Sequence, residues 1–537
     1  MAGGRDGGDR LEQHQRRQAD HHRQAGGSAL AHPWPLRALA LAGLGILAAR
    51  MRGRLRPPRP PRWTAIPAAL ALVLLSGMLL TDGATNPRGD MLWHEGWIRQ
   101  VAGGVDASNG LYEGVPNAYP WLYHALAALL MTLLGIGLGD ALTLVAVLML
   151  LLIAVGAWLL CAELGLHERA RRWAAVLVLA GAGLDWLLPA DPPLGEYPDG
   201  AFGHLLASPQ PTPGLANVPP PLPRDLGLAL IALVLWLGAR WVARGTRASA
   251  AAAGAALGLA ALAAPPSALA AAAGLAAMAL ARRRGRGVVL VVAVAAAVFA
   301  VWAVPLAVHA SDLGGLVTTT RIAPTGLDAL DTLVALAPLL ALAIVGLRAA
   351  RGLPAGAAVV SLVAAGACLY LAALLADGDL LGSPAFAREV RHLPAAAVLA
   401  APAMGIGAAA LTGGRHARAV AAGILVVACT GTVLASVAAA RTLVDGPDLP
   451  AHCSYPGGGG AGRVVALLPG TPDDEFVQLD YYSRTGSWLL WAERPRVRFA
   501  DPGVPGQPAR RAALHRIEAG ARPPAGVDAV VEPRCTT

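Results

Sequence analysis

The chain has 537 residues, 55% of them hydrophobic and only 14% charged, with a formal net charge of +9 and a mean hydropathy of +0.52. A soluble domain carries about 25% charged residues, so this composition excludes an ordinary globular protein and implies a chain threaded repeatedly through a bilayer. The sequence contains no lysine. Its positive charge is therefore all arginine, most of it placed beside apolar runs, which follows the positive-inside rule and argues against a nucleic-acid partner.

Residues 1–35 are polar and rich in Gly, Arg, His and Gln. They show no cleavable signal peptide and are expected to be a disordered cytosolic tail. Within 36–62, the apolar stretch 38–49 rises only about 18 Å as a helix. That is too short to span, so 36–62 is expected to be a cytosolic interfacial segment. Arg50, Arg52, Arg54, Arg56, Arg59 and Arg62 directly precede the first long apolar run, placing that side in the cytosol.

A span needs about 20 apolar residues. Such runs occur at 63–81, 141–162, 173–189, 226–243, 249–264, 267–281, 288–309, 328–347, 354–375, 393–412 and 418–440. A further run, 121–138, decides the topology. If it crossed, every later arginine cluster would lie outside. If it does not, Arg169–Arg172, Arg240–Arg247, Arg282–Arg286, Arg348–Arg351 and Arg415–Arg418 all lie inside. We therefore read 121–138 as a juxtamembrane or re-entrant helix on the outer face.

The expected fold class is an all-α polytopic membrane domain over 63–440, with about eleven transmembrane helices. The N-terminus is expected in the cytosol and the C-terminus outside, in a multi-pass protein of the plasma membrane. Pro265-Pro266 should break one pair of helices. The outer loops are 82–140, 190–225, 310–327 and 376–392.

The tail 441–537 has a different pattern. Val464–Leu468, Val497–Phe499 and Val527–Val531 read as strands, and 473–491 and 508–519 as helices, which predicts a small extracytoplasmic α/β domain. Cys453 opens it and Cys535 closes it. In an oxidising compartment a disulfide between them is expected, two free thiols being the other reading. Cys161, Cys368 and Cys429 lie inside apolar runs and read as packing residues.

The first outer loop holds the most chemistry. It runs Arg88-Gly89-Asp90-Met91-Leu92-Trp93-His94-Glu95-Gly96-Trp97, and later Asn117-Ala118-Tyr119-Pro120-Trp121-Leu122-Tyr123-His124. Asp90 follows the first span, and His94 comes one helical turn later, so the two can share a face. A partly desolvated carboxylate there can serve as general base towards a sugar hydroxyl or ligate a divalent metal beside a lipid phosphate. It can equally cap the helix that follows. His94 reads as a catalytic or a plain interfacial histidine.

An acidic residue just after the first span, an amphipathic outer helix and a Tyr-Pro-aromatic juxtamembrane helix together resemble the C-class glycosyltransferases (GT-C). Those are polytopic enzymes that take a sugar from a polyprenyl phosphate on the outer face. Within that class the chain is most similar to the actinobacterial arabinofuranosyltransferases of cell-wall synthesis, above all the galactan-priming type. The layout covers the whole chain, while the motif covers 88–124. The resemblance implies Asp90 as the catalytic aspartate. It also implies a polyprenyl-phosphate sugar as donor and a cell-wall polysaccharide, arabinogalactan, as acceptor. Some relatives carry paired acidic residues where this chain has Gly-Asp, which leaves metal use open, so no cofactor is assigned and a divalent metal remains possible.

His94 joins Asp90 as a candidate catalytic residue. Tyr119, Trp121, His124, Arg321, Arg388, Arg391 and His392 are candidate substrate-binding residues. Arg388, Arg391 and His392 precede a span on the outer side, against the positive-inside trend. A lipid-linked phosphate fits such arginines, as do the headgroups of ordinary membrane lipids. Asp185, Asp191, Glu196 and Asp199 flank the second long loop and read mainly as solvated charges. No Walker loop, dinucleotide fingerprint or paired CxxC occurs. The competing function is a non-enzymatic transporter or lipid-linked-sugar flippase, whose spans should carry more charge than these do. A third is a scaffold presenting the tail.

Overall fold

The computed structural model describes residues 94, 98, 101–102, 120–181, 184, 222–308, 329–375 and 389–444. In the tail it describes 453–454, 464–467, 496–499, 516–517, 519–523, 529–531 and 534–535. The expected tail 1–35, the interfacial segment 36–62, the span 63–81, and Asp90, Tyr119, Arg321 and Arg388 lie outside the described residues.

Eleven helices are described after residue 120. They are α1 (Leu122–Leu134), α2 (Leu138–Glu163), α3 (Glu168–Ala180), α4 (Pro223–Arg244), α5 (Arg247–Ala263) and α6 (Pro265–Ala281). The series continues with α7 (Val288–Val308), α8 (Ala329–Ala350), α9 (Gly356–Leu375), α10 (Glu389–Leu411) and α11 (Ala417–Val444). Helices α2 to α11 follow the ten apolar runs read from 141–162 onward, although α3 is described only to Ala180.

The boundaries have local causes. α1 stops because Gly135 takes a left-handed conformation (φ 67°) and returns its N–H to the Met131 carbonyl, a conformation glycine adopts without a Cβ penalty. Its 13 residues rise about 20 Å, short of a hydrocarbon core about 30 Å thick. Thr246 caps α5 by accepting the Ser249 N–H. Ala264 turns extended at φ −158°, ψ 107°, because Pro265 clashes with a helical residue before it and starts α6 instead.

Packing centres on α10, which lies against α3, α6, α8 and α9, while α4 lies against α2, α5 and α6. The outward faces are as apolar as the inward ones. On α2, Leu142, Val145, Met149, Ile153 and Leu160 are buried, and Leu144, Leu148, Leu151 and Val155 are exposed. A helix at a water surface would put polar residues on the second face. Exposed apolar side chains recur on α7, α8, α9 and α11, whereas a soluble monomer confines such surface to small patches.

Helices Leu138–Glu163, Pro223–Arg244 and Leu393–Leu411 are long and apolar enough to cross a membrane by length and composition. The Thr143 hydroxyl on α2 returns to its own backbone at Gly139 O (2.9 Å), and Thr412, just past the end of α10, does the same at Ala408 O (2.7 Å). Such bonds satisfy hydroxyls buried among apolar side chains.

The contacts also sort the helix ends. Arg244 pairs with Glu163 at 3.5 Å, so α2 and α4 end together. A Cβ on Gly245 would stand 3.2 Å from Arg284 Nη1, bringing the α6–α7 connection to the same place. Arg169 and Trp173 donate to Thr412 O (3.4 Å) and Oγ1 (3.2 Å), joining the start of α3 to the end of α10. Gly346 of α8 lies on Ala403 and Gly407 of α10, so these two helices run in one direction and finish side by side. The five arginine clusters after residue 160 therefore share one end of the bundle. The starts of α2, α4 and α10 lie at the other.

In the tail, β2 (Val464–Leu467), β3 (Arg496–Phe499) and β4 (Ala529–Val531) form a parallel sheet in the order β3-β2-β4. They lie within a residue or two of the strands read from sequence. Parallel neighbours need crossover connections of a dozen residues or more, usually helical, which the intervals 468–495 and 500–528 are long enough to supply. β1 (Cys453–Ser454) pairs antiparallel with β5 (Arg534–Cys535), in a register that sets Cys453 opposite Cys535.

Candidate functional site

His94, Ile98, Val101 and Ala102 are helical, and their spacing of four, three and one marks a single helix face. His94 and Ile98 are buried, and Val101 and Ala102 are half-buried against the core. Asp90 lies four residues ahead of His94 in sequence and outside the described residues.

The partner surface is α1. Its buried residues, Tyr123, His124, Ala127 and Ala128, fall in pairs four apart, and the helix packs against α2, α4 and α5. Trp121, half-buried, is its N-cap residue.

His94 Nδ1 and His124 Nε2 are 2.9 Å apart, one ring nitrogen donating to the other. Their ring centroids are separated by 5.1 Å. Tyr123 stands edge-on to both, at 6.0 Å from His94 and 5.4 Å from His124. His124 and Tyr123 are fully buried. An N–H···N hydrogen bond needs one unprotonated nitrogen, so the pair cannot hold two imidazolium ions without losing its contact.

Burial, and secondarily the charge of His94, hold the His124 pKa well below the usual histidine value. A base whose folded pKa lies below its unfolded value is neutral for stability at high pH. It becomes destabilising as pH falls below about 6.5, where the unfolded histidine takes a proton that the folded one refuses. Acidification from pH 7.5 to 5.5 is therefore expected to lower the unfolding midpoint of detergent-solubilised protein, and His124→Gln should lose less over the same interval. Equal losses would remove His124 as the cause.

Of the other candidates, Arg391 and His392 fall in the first turn of α10. That helix packs chiefly on α3, α6, α8 and α9, and more lightly on α2 and α4, which also carry α1. The structure thus brings His94 and His124 together, and it gives Arg391 and His392 only their place at the start of α10. Among the described residues, no three His, Cys, Asp or Glu side chains stand close enough to hold a metal ion.

One buried acid escaped the sequence reading. Asp225 is 1% exposed. It accepts the Leu222 N–H at 2.8 Å and lies 3.8 Å from Arg224, a capping arrangement at the start of α4. The signal was present in Pro223-Arg224-Asp225, a proline at the first helical position with an acid two residues later. The reading began that helix at 226, one residue too late to include it.

Fold and site together define a membrane protein built as a helical bundle, with a buried histidine pair where the His94 segment meets α1, the helix that leads into the start of α2. A scan against protein-family models finds no match, and a search of curated proteins finds none either. Among solved structures, the chain is similar to a cryo-EM structure of the arabinofuranosyltransferase AftD from mycobacteria. The TM-score is 0.47 and the identity 20%, over 82% of this chain and 32% of that one. A structure of a mutant of that enzyme matches with a TM-score of 0.46 and 19% identity, over 83% of this chain and 33% of that one. The chain spans about a third of the length of those proteins.

Proposed function

We propose that the protein is a membrane glycosyltransferase that moves a sugar, arabinofuranose by the resemblance of residues 88–124, from a polyprenyl phosphate to a polysaccharide hydroxyl. The observation that carries this reading is the buried His94–His124 contact. It anchors the loop that begins at Asp90 onto α1, whose far end joins α2 opposite the arginine clusters. By the positive-inside rule the arginine end is cytosolic, so the loop belongs to the outer face. Nucleotide sugars are absent there, and a lipid-linked donor is required.

In the proposed step the acceptor oxygen attacks the anomeric carbon while the bond from that carbon to the phosphate oxygen breaks. The bonding electrons leave with the phosphate, the acceptor proton passes to Asp90, and the configuration inverts. Arg388 and Arg391, with Arg321 and His392, would hold the phosphate. Tyr119 and Trp121 would line the sugar's approach, and the buried His124 would act from behind it by holding His94. The test is an assay of purified protein with radiolabelled polyprenyl-phosphate sugars, including arabinose and mannose. Transfer from none of them by folded protein would defeat the proposal.

The proposal includes eleven spans with the C-terminus outside. Cysteines introduced at Leu138 and Glu168 should be labelled from the outer and the cytosolic side respectively, and the reverse pattern would overturn the topology. It also includes the tail as an extracytoplasmic α/β domain closed by a Cys453–Cys535 disulfide. Opposed residues of an antiparallel pair have Cα atoms about 4.5–5.5 Å apart, inside the range a disulfide spans. Closing so long a loop would stabilise the tail by about 4 kcal/mol. Non-reducing peptide mapping of protein from native membranes should recover the linked peptides, and two free thiols would exclude the bond.

A further inference from the structure

The connection between α6 and α7 carries Arg282, Arg283, Arg284 and Arg286, all exposed. Among the described residues none of the four has an acidic partner within 4 Å. The nearby ends of α4 and α5 add Arg244 and Arg247, and the one acid ion-paired there is Glu163, held by Arg244. Four like charges crowded on one short turn repel one another, and Arg283 further adopts a left-handed φ of 50°, which costs a non-glycine residue energy. An arrangement this unbalanced calls for an anion.

Two further features say where the anion sits and what it is attached to. α5 and α7 run in the same direction, since Gly254 lies on Val291 and Val294 and Gly258 on Ala295 and Val298. Their N-termini therefore emerge together at this turn: a Cβ on Gly287, just ahead of α7, would stand 3.5 Å from Ala250 in the first turn of α5. Helix N-termini favour negative charge. Immediately past the arginines the surface becomes apolar and open. Val289 is 82% exposed and Val292, on the same face, 58%, with Leu280 at 78% on the other side of the turn. A soluble anion has no use for that apolar skirt, whereas a phospholipid needs both parts.

We propose that the 282–287 turn, with the N-terminal ends of α5 and α7, is a binding site for an anionic phospholipid. The phosphate lies among the arginines and the acyl chains run along Val289 and Val292. Basic pockets between transmembrane helices bind anionic headgroups in this way, each arginine adding to the attraction. The site is separate from the sugar-transfer reading and does not depend on it.

The experiment uses the full chain purified in a neutral detergent. Native mass spectrometry and thermal unfolding are followed with phosphatidylglycerol, with phosphatidylcholine of the same chains, and with inorganic phosphate. Phosphatidylglycerol should give retained adducts and a raised midpoint that the other two do not. Arg282, Arg283, Arg284 and Arg286 changed together to Gln should weaken retention at least about tenfold, while Arg348→Gln with Arg351→Gln, at another cluster of the same end, should not. On the unaltered protein, a photoreactive phosphatidylglycerol should cross-link within 286–292, which keeps the test decisive if the quadruple variant does not fold. Equal retention of phosphatidylcholine, equal protection by phosphate, equal loss in the control variant, or cross-links spread evenly over the lipid-facing helices would each overturn the site.

Discussion

Asp90→Asn is expected to lower sugar transfer by about 10²–10⁴-fold, the usual contribution of a positioned general base, with little change in unfolding temperature. Acceptor hydroxyls are poor nucleophiles at neutral pH, so the step needs a group that takes the proton as the new bond forms. Asp90 lies early in a loop that the arginine distribution assigns to the outer face, four residues before the buried His94, and is the carboxylate that the family resemblance marks. Asn keeps the size of Asp and caps a helix about as well, but it cannot accept a proton. The substitution therefore separates the two chemical roles open to this residue. Near-normal turnover in Asp90→Asn, with Asp90→Ala lowering only stability, would make Asp90 a cap and refute its catalytic assignment.

Much of the bundle was legible because lipid imposes strong rules on sequence. Apolar runs bounded by arginines located ten helices closely, and Pro265-Pro266 gave the α5–α6 break at Ala264 for the reason expected. The three strands of the tail sheet were visible as short runs of Val and Leu between turn residues. The site was less legible. His94 and His124 were each singled out, but they are 30 residues apart, and no local pattern says that two such histidines meet. Asp225 was passed over because the helix it caps was begun at 226, although Pro223 ahead of it marked the start.

The close helix contacts were hidden for a compositional reason. With 63 glycines and abundant alanine, small residues four apart occur everywhere and carry no weight as a packing signal. In the structure a few of them do hold backbones together. Gly346 of α8 and Gly407 of α10 face each other so closely that a Cβ on either would strike a carbonyl oxygen of the other helix, Ala403 O and Leu342 O respectively.

Gly407→Ala is expected to destabilise the bundle by about 1–3 kcal/mol or more, the cost of overpacking a tight interior. The added methyl also stands 2.9 Å from the Gly346 nitrogen and the Leu342 carbonyl carbon. These are backbone atoms of a helix, which cannot rotate aside as a side chain would, so α8 and α10 must separate. α10 also supports α3, α6 and α9, and a shift there passes to most of the bundle. Gly423→Ala on α11 provides the contrast, because nothing lies within 4 Å of its Cβ position. There the alanine should be neutral or stabilising by up to about 1 kcal/mol, through better helix propensity. Thermal unfolding of both variants in the same detergent decides the matter. A Gly407→Ala protein that unfolds at the wild-type temperature would mean that α8 and α10 are not in backbone contact.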